Sequence, residues 1–191
     1  RQLTILQCGM GAHGFAEKLS DHLKKNYYDA LLIAGLAGGL DPALKSGDAV
    51  IYELCYDARI NDTQTTNGLP GSKEKSSGCD EKASIRCDDE FSGFLFELLQ
   101  SSNQRCLRGS GVTVNRIITE AKNKASLGVG YHAVAVDMES YDVLKVCAAA
   151  GLSAAVLRVI SDEVGSDLPD FNRAAEPDGR LNIWRTAVAM A

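Results

Sequence analysis

The 191 residues correspond to a single domain at roughly 150 residues each, large enough to bury about two-thirds of the unfolded surface without a staple or metal. Apolar residues make up 45% and aromatics only 6% with one Trp, which excludes an aromatic platform for single-stranded nucleic acid. Twenty basic against twenty-five acidic side chains give −5 with no basic run beyond Lys24-Lys25, which disfavours a nucleic-acid partner, and the longest apolar stretch, Val143 to Ile160, is too interrupted for a membrane span.

The chain opens within an extended apolar run, Leu3-Thr4-Ile5-Leu6-Gln7-Cys8, which predicts a strand and, since the domain starts mid-sheet, an absent upstream piece. Gly9-Met10-Gly11-Ala12-His13-Gly14 follows, then a helix to Lys25 with Phe15, Leu19, His22 and Leu23 on one face. Ala30 to Ala34 is expected to be a strand buried on both faces, ending in the glycine-rich turn Gly35-Leu36-Ala37-Gly38-Gly39. Asp48 to Leu54 is another strand. Residues 59–90, rich in Asn, Thr, Gly, Ser and Lys, predict a long surface excursion. Phe91 to Leu99 has helical spacing, Gly111 to Val114 and Ala133 to Val136 are strand-like, and Met138 to Ala150 is a helix. Ala154 to Ile160 is a strand ending at Ser161-Asp162; a loop over Asp167 to Gly179 and a helix from Leu181 to Met190 finish the chain. Strands alternating with helices predict one α/β domain over 1–191 with a largely parallel sheet.

Cysteines 8, 55, 79, 87, 106 and 147 include no C-x-x-C, and His13, His22 and His132 are scattered, so no metal site is expected. Their mostly apolar settings, with no signal-peptide pattern at Arg1, fit reduced thiols in a cytoplasmic protein, although Cys79 and Cys87 leave a local bridge open.

Ligands of α/β sheets bind beyond the carboxyl ends of strands. Four sets of residues fall there: Gly9 to Gly14, Gly35 to Gly39, Asp137-Met138-Glu139 and Ser161-Asp162. The first matches G-x-G-x-x-G between a predicted strand and helix, the context of a dinucleotide site. The acid that such a site places on the ribose should end the second strand, whereas Asp29 precedes it. A plain tight turn lining a pocket is the stronger reading. The acids at 137, 139 and 162 have bland readings as helix N-terminal charges or caps. Two adjacent parallel strands ending in acids would nevertheless bring carboxylates over one cleft, where one binds hydroxyls and another moves a proton.

Gly35-x-Ala37-Gly38-Gly39, Gly47-Asp48-Ala49-Val50, Val136-Asp137-Met138-Glu139-Ser140 and Arg158-Val159-Ile160-Ser161-Asp162, in this order, resemble the nucleoside phosphorylase/nucleosidase superfamily of purine nucleoside phosphorylases and methylthioadenosine/S-adenosylhomocysteine nucleosidases. The tail, Asp167-Leu168-Pro169 to Pro177-Asp178-Gly179-Arg180, is more loosely similar to the branch associated with hopanoid biosynthesis. The resemblance implies a three-layer α-β-α sandwich around a mixed, mostly parallel sheet, and cleavage of the bond between a purine and C1′ of ribose. It implies that Asp162 delivers a proton to purine N7, with Ser161 and Arg158 positioning it. A free Asp titrates at about 3.9, so burial at the end of an apolar strand would have to keep it protonated. Glu139 would accept from the ribose 2′- and 3′-hydroxyls, with Met138 against the sugar, Asp137, Ala37 and Gly38 lining the site, and Ile117 beside the base. Gly9, Gly11, Gly35 and Leu36 would border the attacking phosphate or water.

The sequence departs from this pattern at Ile33, Ala34 and Leu36, whose side chains cannot hold an anion, so the nucleophile stays open between inorganic phosphate and water. No cofactor or metal is implied. By similarity the chain is a homo-oligomer, dimer or hexamer, and lacks an upstream strand and loop. A nicotinamide-dependent oxidoreductase using Gly9 to Gly14 and a non-catalytic nucleoside-binding relative are the competing functions.

Overall fold

The structure is a computed structural model and describes residues 3–9, 14–59 and 82–169. Its elements run α1 (Phe15–Leu23), β1 (Ala30–Gly39), β2 (Ala49–Asp57), β3 (Ser84–Arg86), α2 (Asp89–Ser101), β4 (Cys106–Thr113), α3 (Ala121–Tyr131), β5 (Ala133–Asp137), α4 (Ser140–Ala149) and β6 (Ser153–Asp162). The sheet has the order β3-β2-β4-β5-β1-β6, and β2 also pairs with β6, Val50 standing opposite Arg158. Five of the strands thereby close into a ring. The sheet is mixed, as expected: its longest pairings, β1 with β6 and β2 with β4, are parallel, while β1–β5, β2–β3 and β2–β6 are antiparallel.

Alternation along the strands divides the core. Val50 and Tyr52 of β2 with Val156 and Ile160 of β6 meet Leu19 of α1 and Val143, Leu144 and Cys147 of α4. Ile51, between Val50 and Tyr52, packs instead with Ala155 and Leu157 against Phe91, Leu95 and Leu99 of α2. A third cluster joins Val112 and Val136 to Leu127 and Tyr131 of α3. Asp88 caps α2 by accepting from Phe91 N at 2.8 Å, and Asp89 and Glu90 complement the dipole in its first turn.

Several expectations are corrected. Leu3 to Cys8 is not a strand: residues 3–9 have no regular structure, and Leu3 and Ile5 are more than four-fifths exposed. Apolar composition alone makes no strand, and among the described residues no neighbour completes the hydrogen bonds of this segment. The glycines from Gly35 to Gly39 are the second half of β1, because β6 pairs with it along its length. Nor is β1 buried on both faces: Ile33 and Ala37 are in the core, but Leu32 and Leu36 are exposed. The excursion expected over 59–90 ends earlier, since 84–86 pair with β2 as β3 and α2 begins at Asp89. Residues 60–81 lie outside the described residues, as do the closing helix from Leu181, the loop beyond Pro169 and Cys79. Cys8, Cys55, Cys87, Cys106 and Cys147 are free thiols, so the described partner of the bridge considered at Cys79 and Cys87 is unpaired. Burial pushes the Cys87 thiol up to about 12 and that of Cys147 to about 11. α3 is a helix that the sequence pattern did not predict, and its two interior glycines weaken its helical signal.

Gly111 lies under the ring of Tyr52, which is fully buried: a Cβ here would stand 2.0 Å from Tyr52 Cε2. Gly111→Ala therefore forces overpacking at the β2–β4 seam. It is expected to cost about 1–3 kcal/mol, read as a lowered urea midpoint; an unchanged midpoint would show that the ring can yield.

Candidate active site

The parallel register of β1 and β6 puts Arg158 directly beside Gly35. A Cβ on Gly35 would lie 2.5 Å from Arg158 Nη1, so the missing side chain is what lets the guanidinium lie over β1. Arg158 is only 4% exposed, and its Nε stands 3.2 Å from Asp137 Oδ2. Its Nη2 donates to Ser140 Oγ at 2.8 Å and to Glu139 Oε2 at 3.2 Å, and its Nη1 to the Leu36 carbonyl at 3.4 Å. Burial works against the charge of the guanidinium, but Asp137, Tyr52 and Glu139 outweigh it and hold the pKa above its ordinary value. Asp137 Oδ1 in turn accepts from Thr113 Oγ1 at 2.8 Å and from the backbone N–H groups of Glu139 and Ser140 at 3.0 and 2.9 Å. Asp137 thus does the work of a helix cap for α4, and Glu139, at the formal cap position, makes no side-chain cap bond.

The other acid stands where β6 ends. Ala37 pairs with Ile160 and Gly38 with Asp162, so Ser161 is an extra residue in β6, a bulge of the kind that re-aims a neighbouring side chain. Ser161 Oγ lies 3.1 Å from the Ala37 carbonyl and 2.7 Å from Asp162 Oδ1, and its single hydrogen can serve one acceptor at a time. Asp162 Oδ2 accepts from Lys124 Nζ at 2.5 Å. Lys124 is 1% exposed and also donates to the carbonyls of Glu163 at 3.1 Å and Ser166 at 2.8 Å. The segment after β6 is fastened to the start of α3 twice more, by Ala121 N to Asp167 Oδ1 at 2.7 Å and by Leu168 N to the Thr119 carbonyl at 2.8 Å.

The two acids converge by a route the sequence did not indicate. β5 and β6 are not neighbours and do not end side by side: β1 runs between them, antiparallel to β5 and parallel to β6. Gly38 is registered with Val136 on one side and Asp162 on the other, which brings the turn at Asp137-Met138-Glu139 and the end of β6 to the same stretch of β1. Asp137, Glu139, Arg158 and the Leu36 carbonyl form one group, and Ala37, Ser161 and Asp162 the other.

Individual expectations fare differently. Ser161 does contact Asp162. Arg158, expected to position Asp162, directs its bonds to Ser140, Glu139 and Leu36 instead. Asp162 is not enclosed by apolar strand residues but ion-paired to a buried ammonium. Met138 is half-buried and packs against the Val112 and Val136 cluster. Ile117 is half-buried in the segment between β4 and α3. Gly9 is exposed in the irregular segment 3–9, and Gly11 lies outside the described residues. The Cys8 thiol is pushed up by surrounding protein and by the Glu139 carboxylate, which places the end of that segment in the field of the Glu139–Arg158 pair. Lys124 was missed; its signal was a Lys on the buried stripe of α3, spaced helically with Gly128 and Tyr131. Among the described residues no group of three or more His, Cys, Asp and Glu could hold a metal ion, and no helix is long and apolar enough to cross a membrane.

The family model of the phosphorylase superfamily matches residues 1–191, and the chain belongs to that superfamily. Among solved structures it is similar to the 5′-methylthioadenosine/S-adenosylhomocysteine nucleosidase of Campylobacter jejuni, at 23% identity and a TM-score of 0.67 over 83% of this chain and 66% of that one. It is also similar to the futalosine hydrolase of Helicobacter pylori, at 20% identity and a TM-score of 0.66 over 80% of this chain and 65% of that one. At these identities the likeness establishes the fold, and the chain spans slightly under two-thirds of the length of either relative.

Replacing Arg158 by Met would strand the buried Asp137 carboxylate without its cation. Arg158→Met is expected to lower stability by about 3–5 kcal/mol, read by chemical denaturation; a loss well under 1 kcal/mol would mean that Thr113 and the α4 amides alone satisfy Asp137.

Proposed function

We propose that this chain cleaves the N-glycosidic bond of a purine nucleoside of the adenosine type. The observation that carries the reading is the register at Gly38, which sets Asp162 and the Glu139 turn against one stretch of β1. As the C1′–N9 bond breaks, its electron pair passes to the purine and positive charge develops on the sugar. Asp162, ion-paired to Lys124 through Oδ2, takes up a proton from solvent on Oδ1 when substrate is bound and transfers it to N7, so neutralising the leaving base. Glu139, whose Oε2 is held by Arg158, presents a fixed carboxylate to the ribose hydroxyls and to the developing cation. An oxygen of phosphate or water forms the new bond to C1′ opposite the departing base, and an attacking water gives up one proton to solvent, which balances the proton that Asp162 delivers to N7.

The family membership supports this chemistry, and the two nucleosidase-type relatives favour water over phosphate. So does Leu36, whose two-thirds exposed side chain offers an anion no hydrogen bond. The reading includes no cofactor beyond inorganic phosphate as an alternative co-substrate. It also includes a three-layer arrangement with α1 and α4 on one side of the sheet and α2 and α3 on the other. A homo-oligomer, dimer or hexamer, and a cytoplasmic location belong to it as well. The competing oxidoreductase loses its support, because a dinucleotide fingerprint needs a strand before Gly9 and residues 3–9 form none.

Base release is the test, measured on adenosine-type nucleosides with and without phosphate. We expect release in both conditions, and Asp162→Asn and Glu139→Gln each to lower kcat by about two orders of magnitude with the fold retained. No release by the wild-type chain would leave a non-catalytic nucleoside-binding relative as the better description. Release only with phosphate would replace water by phosphate as the nucleophile.

A further inference from the structure

We propose that Lys124 is the positioning residue of the proton-donating acid: it occupies Oδ2 of Asp162, leaves Oδ1 to carry the transferred proton, and balances the carboxylate formed when that proton departs. The inference rests on the reading of Asp162 as the proton donor and specifies how that acid is set up.

Lys124 is an unusual residue to find 1% exposed. Burying an ammonium is costly unless its charge is paired and its hydrogens are bonded. Here each hydrogen has an acceptor: Asp162 Oδ2 and the carbonyls of Glu163 and Ser166. The two carbonyls come from the segment directly after Asp162, so the ammonium holds both the side chain and the backbone that orients it. A purely structural pin for this segment would need no charge, since Asp167 on Ala121 N and Leu168 on Thr119 already tie it to α3.

The two carboxylate oxygens are therefore not equivalent. Oδ2 faces a cation that is fixed from three directions and cannot accommodate a second hydrogen between them. Oδ1 faces Ser161, whose hydroxyl has an alternative acceptor in the Ala37 carbonyl at 3.1 Å. Rotation of that hydroxyl to Ala37 frees Oδ1 to bear a hydrogen without leaving any group unsatisfied. In the reaction the Oδ1–H bond breaks, the N7–H bond forms, and the C1′–N9 electron pair passes into the purine. The negative charge left on Asp162 then lies 2.5 Å from the Lys124 ammonium, and water reprotonates Oδ1 in the next cycle. The ammonium is already in place for that carboxylate, so its formation as the bond breaks requires no reorganisation.

The role is separable from folding by the leaving group. A purine needs the proton, whereas p-nitrophenolate departs without one, so p-nitrophenyl β-ribofuranoside reports on the sugar site alone. Lys124→Met and Lys124→Gln are expected to lower kcat for the purine nucleoside by roughly tenfold to a hundredfold. Their KM for it and their turnover of the p-nitrophenyl riboside should change less than about threefold, and Lys124→Arg should recover much of the purine activity. Gln, which keeps N–H donors at a similar reach, carries the test if Met does not fold. Equal losses on both substrates would reduce Lys124 to a structural pin, and unchanged purine turnover would remove its role outright. A wild-type chain that cleaves the p-nitrophenyl riboside but releases no purine would overturn the reading of Asp162 itself, and one that cleaves neither substrate would overturn the proposed function.

Discussion

A guanidinium buried between two carboxylates governs this end of the molecule. Arg158 interrupts an apolar strand, and its desolvation is offset by Asp137 and Glu139 together with Ser140. That requirement propagates outward. β1 must carry glycine where the guanidinium crosses it, Asp137 must stay fixed by Thr113 and the first amides of α4, and α4 must begin where it does. Glu139 is consequently held by residues of the core, although its own position is partly open.

Asp162 is organised by a second ion pair of different design. Arg158 is enclosed by acids from the end of β5 and the turn before α4, whereas Lys124 reaches from α3 to the segment that follows Asp162. The two cations come from different elements, β6 and α3, and each fixes one of the acids assigned to the reaction. Fixing both before substrate arrives is what an electrostatic mechanism requires, since reorganisation of charged groups is then complete in advance. The bulge at Ser161 contributes by giving one hydroxyl two alternative acceptors next to the acid.

Much of the fold was legible because most elements are locally consistent. Phe15 to Leu23, Asp89 to Ser101 and Ser140 to Ala149 form helices where helical spacing or caps announce them, and Val50, Tyr52, Val112, Val136 and Val156 alternate or run together as buried strands do. What misled was local pattern without tertiary support. Leu3 to Cys8 has strand-like composition but pairs with no strand among the described residues, and Gly35 to Gly39 has turn-like composition but a partner in β6. α3 was invisible for the converse reason. Its helix is sustained by packing of Leu127 and Tyr131 and by the distant Asp167, which no local signal reveals.

The chemical types at the site were set by the chain itself: acids at 137, 139 and 162, a lone Arg in an apolar strand, and glycines spaced along β1. Their order along the sequence also carried the resemblance to the superfamily. Which acid meets which cation was decided only in three dimensions. Arg158 turned out to serve Glu139 instead of Asp162, and Lys124 took that second place, because strand order, register and a single bulge determine which side chains meet across the sheet. Those quantities depend on hydrogen bonds between segments far apart in sequence, and the residues of one segment do not contain them.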